Sequence, residues 1–408
     1  MSAFFGFQQL MARFPFLQRV RIIFWFFDSA VLLFLRKPEK TPGQRKKVII
    51  FFTHSLGDCA MFLSASGIVR ELYPEDKFDV TLSCKSLYAD LFRSSFPNLL
   101  PVDYIKTSVN PLYRIRFLRE MRKERFDIAI DPFGMEECYP SLFAMNAVCA
   151  EEKIGLLFRQ KKRIQTPAWL RNRVFTRTVF VDRDNMHKNA LFAAFFSGLS
   201  GRSFLPCRQE IPFSRTLLLP ERYCVVFPSA SIPAKRWDVV RFVEVTKRLY
   251  KAYGLTVVCV GTENDRGPTE TFLSFLEGLV PYRTFLGKTT IMQVAEILGR
   301  AELVVTNDTG IFHLAIGTGT RTCVVSGGYS YSEFLDYSGN VYGKELEDRV
   351  KVCAHKYHCM DCGNDCRFRF RDCFPCIDKV SVDEVWEACS GLLGPAEGKS
   401  IALMEECI

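Results

Sequence analysis

Short apolar runs recur along the chain, each closed by a cluster of polar or turn-forming residues. Lys47-Val-Ile-Ile-Phe-Phe52 is continuous in its apolar character, as a strand covered on both faces must be. The turn Thr53-His-Ser-Leu-Gly-Asp58 follows, and a helical segment ends near Tyr73-Pro74. Phe78–Ser83 predicts a second strand, with a short helix around Leu87–Phe92, and Val102–Lys106 a third. A basic helix over Leu112–Lys123 leads to a fourth strand, Phe126–Asp131, stopped by Pro132. Strands alternating with helices in this way are the pattern of a covered parallel sheet.

Residues 155–222 are less regular, and a linker is expected near 206–222. The same pattern then restarts. Strands are predicted over Tyr223–Pro228, Leu255–Gly261, Glu302–Asn307 and, as the last clear one, Thr322–Ser326. Helices are predicted over Trp237–Tyr253, Thr269–Gly278 and Thr290–Leu298. The architecture repeats although the sequence does not. The expected fold is α/β, with two parallel-sheet domains facing across a cleft between sheet ends.

Charge and cysteine usage narrow the setting. The 54 basic and 45 acidic residues leave a surplus of +9, which suits a phosphorylated, lipidic or nucleic-acid partner. Much of it lies at the front. Phe4, Phe5, Phe7, Phe14, Phe16, Phe24, Trp25, Phe26, Phe27 and Phe34 are interleaved there with Arg13, Arg19 and Arg21, before a basic run from Arg36 to Lys47. The apolar stretch Ile22–Leu35 has 14 residues, interrupted by Asp28, which as a helix of roughly 21 Å is short for a bilayer span. No cleavage pattern follows it. Two readings stand: an interfacial helix with a basic collar, or a helix packed on the protein's own surface. A region so hydrophobic does not suit a base-stacking groove, and no nucleic-acid partner is expected. Of the 16 cysteines seven fall within or beside apolar segments, where a free thiol behaves as a small hydrophobe, while six crowd into Cys353–Cys376. The expected setting is a cytoplasmic protein with one specialised cysteine site.

Five clusters carry candidate chemistry. Asn307-Asp-Thr-Gly310, with His313 one turn on, lies where a strand meets a helix, whose N-terminus attracts phosphate. Asp308 or Thr309 equally suits a plain helix cap. Asp58 follows Gly57 at another strand-to-helix turn, where it serves either as a proton acceptor or as a cap. Ser229, Ser231 and Lys235 in the loop Pro228–Trp237 suit phosphate contact, and Glu263 at the next strand end has the reach to hold sugar hydroxyls. The dinucleotide and Walker glycine patterns are missing after the first strand. Cys359/Cys362 and Cys373/Cys376 form two Cys-x-x-Cys pairs with Cys366 between, a set that suits structural zinc or iron ligation or else a compact loop.

In this order the Leu-Gly-Asp turn, the Lys-Arg-Trp loop, the Asn-Asp-Thr-Gly…His element and the cysteine segment resemble the ADP-heptose:lipopolysaccharide heptosyltransferases, glycosyltransferase family 9. The resemblance spans about residues 47–385. It implies a GT-B-like fold of two Rossmann-like domains and inversion at the anomeric carbon, with no cofactor for catalysis. It implies that Asp58 is the base and Lys235 the diphosphate contact, with Ser229 or Ser231 beside it. It implies that Glu263 holds the nucleoside and that Asp308, Thr309, Gly310 and His313 hold the donor. Cys359, Cys362, Cys366 and Cys373 match cysteines of the family, whereas Cys376 is additional. The expected partners are a nucleotide-diphosphate sugar such as ADP-heptose, a glycolipid acceptor and the anionic inner face of the cytoplasmic membrane. The expected layout is an extension over 1–46, an acceptor-side domain over 47–210 and a donor-side domain over 211–350. A cysteine-rich loop over 351–380 and a helical tail over 381–408 complete it. The alternative is a non-catalytic nucleotide-binding module with a metal-stabilised interaction loop.

Overall fold

The computed structural model describes residues 22–39, 45–133, 140–158, 167–182, 186–337, 342–363, 366 and 373–395. The arginines at 159, 163, 367, 369 and 371, the lysines at 161 and 162, and most of the 1–46 extension lie outside these. The chain divides into two compact units. One takes residues up to 55, 65–184 and 189–206, and the other takes 56–64, 185–188 and everything from 207 onward.

The first unit holds a six-stranded sheet: β1 Lys46–Phe52, β2 Phe78–Lys85, β3 Asn98–Val102, β4 Arg125–Asp131, β5 Cys149–Phe158 and β6 Arg177–Val181. The second holds β7 Tyr223–Phe227, β8 Thr256–Cys259, β9 Tyr282–Thr284, β10 Leu303–Asn307, β11 Thr322–Val325 and β12 Val350–Cys353. The spatial orders are β3-β2-β1-β4-β5-β6 and β12-β11-β10-β7-β8-β9, and every pairing is parallel. These are the same doubly wound topology twice over, so the expected pair of Rossmann-like sheets is present.

Several expectations shift. The third strand lies at Asn98–Val102, before rather than across Val102–Lys106, because Asp103 accepts a hydrogen bond from the Lys106 N–H (3.0 Å) and starts a helix at Tyr104. Pro101 is tolerated inside this strand because β3 is an edge. The irregular stretch 155–222 contains the end of β5 and all of β6, and β5 itself begins at Cys149. Charged Glu151, Glu152 and Lys153 in the first half of β5 hide its apolar second half. The edge strands β9, which is exposed, and β12 are too short to carry a period.

Helix α1, Ile22–Leu33, packs Trp25, Asp28 and Leu32 into the first unit. Asp28 does not break the helix. It is fully buried and takes both fork nitrogens of Arg114, on α3 (Pro111–Met121), at 2.6 Å each. Arg114 also donates to the Thr107 carbonyl (2.9 Å) and lies 4.7 Å from the Phe24 ring centroid. Among the described residues no helix is long and apolar enough to cross a membrane.

Two short helices matter for the site. α2, Leu56–Phe62, leaves β1, and α5, Gly310–Thr318, leaves β10. Between them in sequence, α4 (Val239–Tyr253) is started by the Asp238 carboxylate on the Val240 N–H (2.7 Å) and ended by left-handed Gly254. It buries Phe242, Val245 and Leu249 against a core shared with the tail helix α6, Val382–Leu393.

Candidate active site in the second unit

Strand order reverses between β7 and β10, which is where open parallel sheets bind ligands beyond their carboxyl ends. The chain leaves β7 into the loop 228–237 and leaves β10 into α5. Asn307, the last residue of β10, ties these exits together. Its side-chain oxygen accepts from the Trp237 N–H (2.9 Å), and its amide donates to the Pro228 and Ser229 carbonyls at 3.0 and 3.3 Å. Each buried polar group is thereby paired, and the loop has one fixed path.

That path brings Lys235 to Asp308. The ammonium lies 3.3 Å from Asp308 Oδ2 and 4.4 Å from the centre of the Tyr329 ring, whose hydroxyl donates to the same oxygen (2.9 Å). Burial acts to raise the Asp308 pKa, but Lys235, His313 and Tyr329 outweigh it and hold the carboxyl below its usual value. His313 is driven the other way. Burial lowers its pKa to about 4, against the pull of Asp308, so the imidazole is neutral at pH 7. Its Nδ1 lies 3.3 Å from the Tyr337 hydroxyl, and the Gln209 amide donates to its carbonyl (3.0 Å).

The capping alternative for Asp308 and Thr309 fails on geometry. Thr309 occupies the N-cap position of α5 but makes no side-chain cap bond, and Asp308 faces Lys235 and Tyr329 instead. The first N–H groups of a nine-residue helix therefore keep their attraction for an anion, beside a lysine.

Helix α2 belongs to this unit and crosses α5 at unusually short range. A β-carbon on Gly57 would meet His313 Cδ2 at 2.8 Å, and one on Gly310 would meet Leu56 Cβ at 2.8 Å. Only hydrogen side chains permit that crossing. It sets Asp58, partly buried in the first turn of α2, one residue after the Gly57–His313 contact.

The remaining candidates are more dispersed. The Ser229 hydroxyl donates to Asp265 (2.8 Å), whose other oxygen closes a capping box with Thr262. Ser231 is exposed on the loop. Glu263 is exposed and paired with Arg266 at 2.6 Å. Spacing gave no sign of Tyr329, Tyr337, Gln209 or Asp265, nor of His187, whose ring lies 4.4 Å from that of Tyr337. Burial and neighbouring charges, His313 among them, lower the His187 pKa to about 3.

The cysteine segment braces the Lys235 loop. The Phe374 N–H donates to the Ala234 carbonyl (3.0 Å), and the buried Trp237 ring N–H donates to the Val380 carbonyl (2.9 Å). Cys359, Cys362, Cys366 and Cys376 line a cavity of about 250 Å³ with His355, His358 and Tyr329. Cys373 lies apart, its thiol 3.4 Å from the Arg236 carbonyl. Burial, with the neighbouring thiols, pushes the Cys362 pKa up to about 11. Among the described residues no three metal-binding side chains converge on one point. The described cysteines are free thiols.

Residues 114–362, more than half of the chain, match glycosyltransferase family 9 (heptosyltransferase). Among solved structures, Escherichia coli ADP-heptose LPS heptosyltransferase II superposes with a TM-score of 0.61 at 17% identity, over 85% of this chain and 98% of that one. A family 9 glycosyl transferase from Veillonella parvula gives 0.59 at 17%, over 75% and 85%. E. coli heptosyltransferase WaaC with ADP gives 0.59 at 18%, over 75% and 92%. Comparison with curated proteins gives no match. A fold with two Rossmann-like sheets, a lysine–aspartate pair at the strand-order reversal and this sequence match agree: the chain belongs to glycosyltransferase family 9.

Proposed function

We propose that this protein is an inverting glycosyltransferase that moves a heptose from ADP to a lipopolysaccharide core or related glycolipid. The observation that carries this reading is the Lys235–Asp308 pair at the start of α5. A buried carboxylate holds the ammonium where the backbone N–H groups of the helix also point, which suits a departing diphosphate.

The acceptor hydroxyl attacks the anomeric carbon as the bond from that carbon to the diphosphate oxygen breaks. Its proton passes to the Asp58 carboxylate, and the charge growing on the diphosphate meets Lys235 and the helix terminus. Ser229 and Ser231 flank the phosphates, and Glu263 turns from Arg266 to the ribose hydroxyls. Neutral His313 and Thr309 hold the sugar without adding a charge that would compete with Lys235.

Calorimetric titration with ADP tests the assignment. Lys235→Ala should bind more weakly by about tenfold or more while keeping its thermal melting, as loss of a charged contact demands. Equal affinity would move the diphosphate elsewhere. Turnover of ADP-heptose with extracted glycolipid then tests sugar and acceptor together.

In the same reading the cysteine segment has a structural part only. Four thiols and two imidazoles around one cavity form a donor set suited to zinc or iron, although as placed they do not converge. Such an ion would draw Cys359, Cys362, Cys366 and Cys376 together behind Tyr329, with Cys373 joining through a shift from Arg236.

A further inference from the structure

Helix α1 turns Trp25 and Leu32 inward yet leaves a second apolar face outside. Its one carboxylate, Asp28, is fully buried on Arg114, while its outer face carries Ile23, Phe26, Phe27, Ala30 and Leu33, continued by Phe34. These positions fall three and four residues apart, so they form a single stripe. Phe26 is 58% exposed, Leu33 84% and Phe34 88%. Trp169, half exposed, extends the stripe onto a second element, with its ring 6.3 Å from Phe26 and 5.4 Å from Trp25.

The border of the stripe is cationic. Exposed Arg173 lies 5.6 Å from the Trp25 ring centre, and Arg36 and Lys37, both exposed, follow the helix end. Glu39 offsets one of these charges through its pair with Arg36 (2.7 Å), and the border keeps a positive surplus. The preceding 21 residues contain Arg13, Arg19 and Arg21 and no acid.

We propose that this stripe, with Trp169 at its margin, docks the protein onto an anionic lipid bilayer, α1 lying in the interface and not crossing it. A helix of 12 residues is roughly 18 Å long, too short to span but ample to lie flat. Phenylalanines reach the acyl boundary, tryptophan sits at headgroup depth, and the cations meet lipid phosphates. A second copy fits worse. In a two-fold contact the same patch meets itself, setting Arg36, Lys37 and Arg173 against their own counterparts. The inference rests on the surface of the first unit and does not depend on the donor chemistry.

Flotation of the full chain with phosphatidylcholine vesicles, with and without phosphatidylglycerol, tests it. The wild type should float with the anionic vesicles, less so in high salt. Phe26→Ser with Phe27→Ser should lower partitioning by about tenfold or more, from the loss of two inserted rings. Because both positions are exposed, the fold should survive, which thermal melting checks. Arg36→Gln with Lys37→Gln should weaken binding to the anionic vesicles alone. Trp169→Ala, far from the front of the sequence, should also weaken it. Unchanged partitioning of the phenylalanine variant, or a wild type that floats with neither vesicle, overturns the proposal. So does a wild-type dimer that this variant converts to monomer while floating as before, which would make the face a self-association surface.

Discussion

At the scale of single residues, environment decides what each candidate can do. Asp58 keeps partial access to solvent, as a proton acceptor must, whereas Asp308 is buried on Lys235 and Tyr329 and is a holder of charge. Asp58→Asn preserves shape but removes the proposed base. It should keep ADP affinity and lose sugar transfer by about 10²-fold or more. Turnover close to wild type in that variant would exclude the role. The histidines give a pH dependence with a definite sign. His313 and His187 titrate near 4 and 3 in the folded protein, below the unfolded value of 6.5. Between these limits the unfolded chain binds more protons, so stability is complete above pH 6.5 and falls as pH drops toward 4. The slope is on the order of 1.4 kcal/mol per pH unit for each histidine. Urea unfolding at pH 7, 6 and 5 should show this decline, and His313→Gln should flatten it by about one histidine's share. An equal slope in that variant would mean that His313 is not held neutral.

At the scale of elements, the crossing of α2 and α5 shows how a motif in sequence becomes a contact. Leu-Gly-Asp and Thr-Gly-x-x-His lie some 250 residues apart, yet Gly57 packs on His313 and Gly310 on Leu56. Gly310→Ala should destabilise by about 1–3 kcal/mol through overpacking. Leu56→Ala in the same chain should recover part of that loss, a coupling that a double-mutant cycle in urea reads directly. Additive effects would show that the helices can simply part. The cysteine segment is the other element with a test. Protein purified without oxygen or chelator should carry about one zinc or iron per chain by elemental analysis. Cys359→Ser with Cys362→Ser should lose the metal and lower the melting temperature. Metal-free wild type melting at the same temperature would leave the thiols as packing.

At the scale of the whole molecule, legibility followed burial. Strands covered on both faces, such as β1, β7 and β10, declare themselves by unbroken apolar runs, and the residues just past their ends supplied Asp58, Lys235 and Asp308. Edges were harder. β9 and β12 are short, and β3 carries a proline that a central strand would refuse. The long-range partners were hardest, because Tyr329, Tyr337 and His187 matter only through where folding takes them. Asp28 is the sharpest case. In sequence it interrupts an apolar helix, but in the fold it is that helix's most deeply buried residue, paired with Arg114 while Phe26 and Leu33 face out.

The brace on the Lys235 loop also fixes an order of events. Ala234 and Trp237 are held by Phe374 and Val380, residues made well over a hundred positions later. The same late segment, through Ile377, Val385, Cys389 and Leu392, completes the core beneath α4. During synthesis the second sheet can therefore pair its strands while its Lys235 loop still lacks its support. Support for the Lys235 loop arrives only once residues 374–393 have been made, and not progressively as each strand appears.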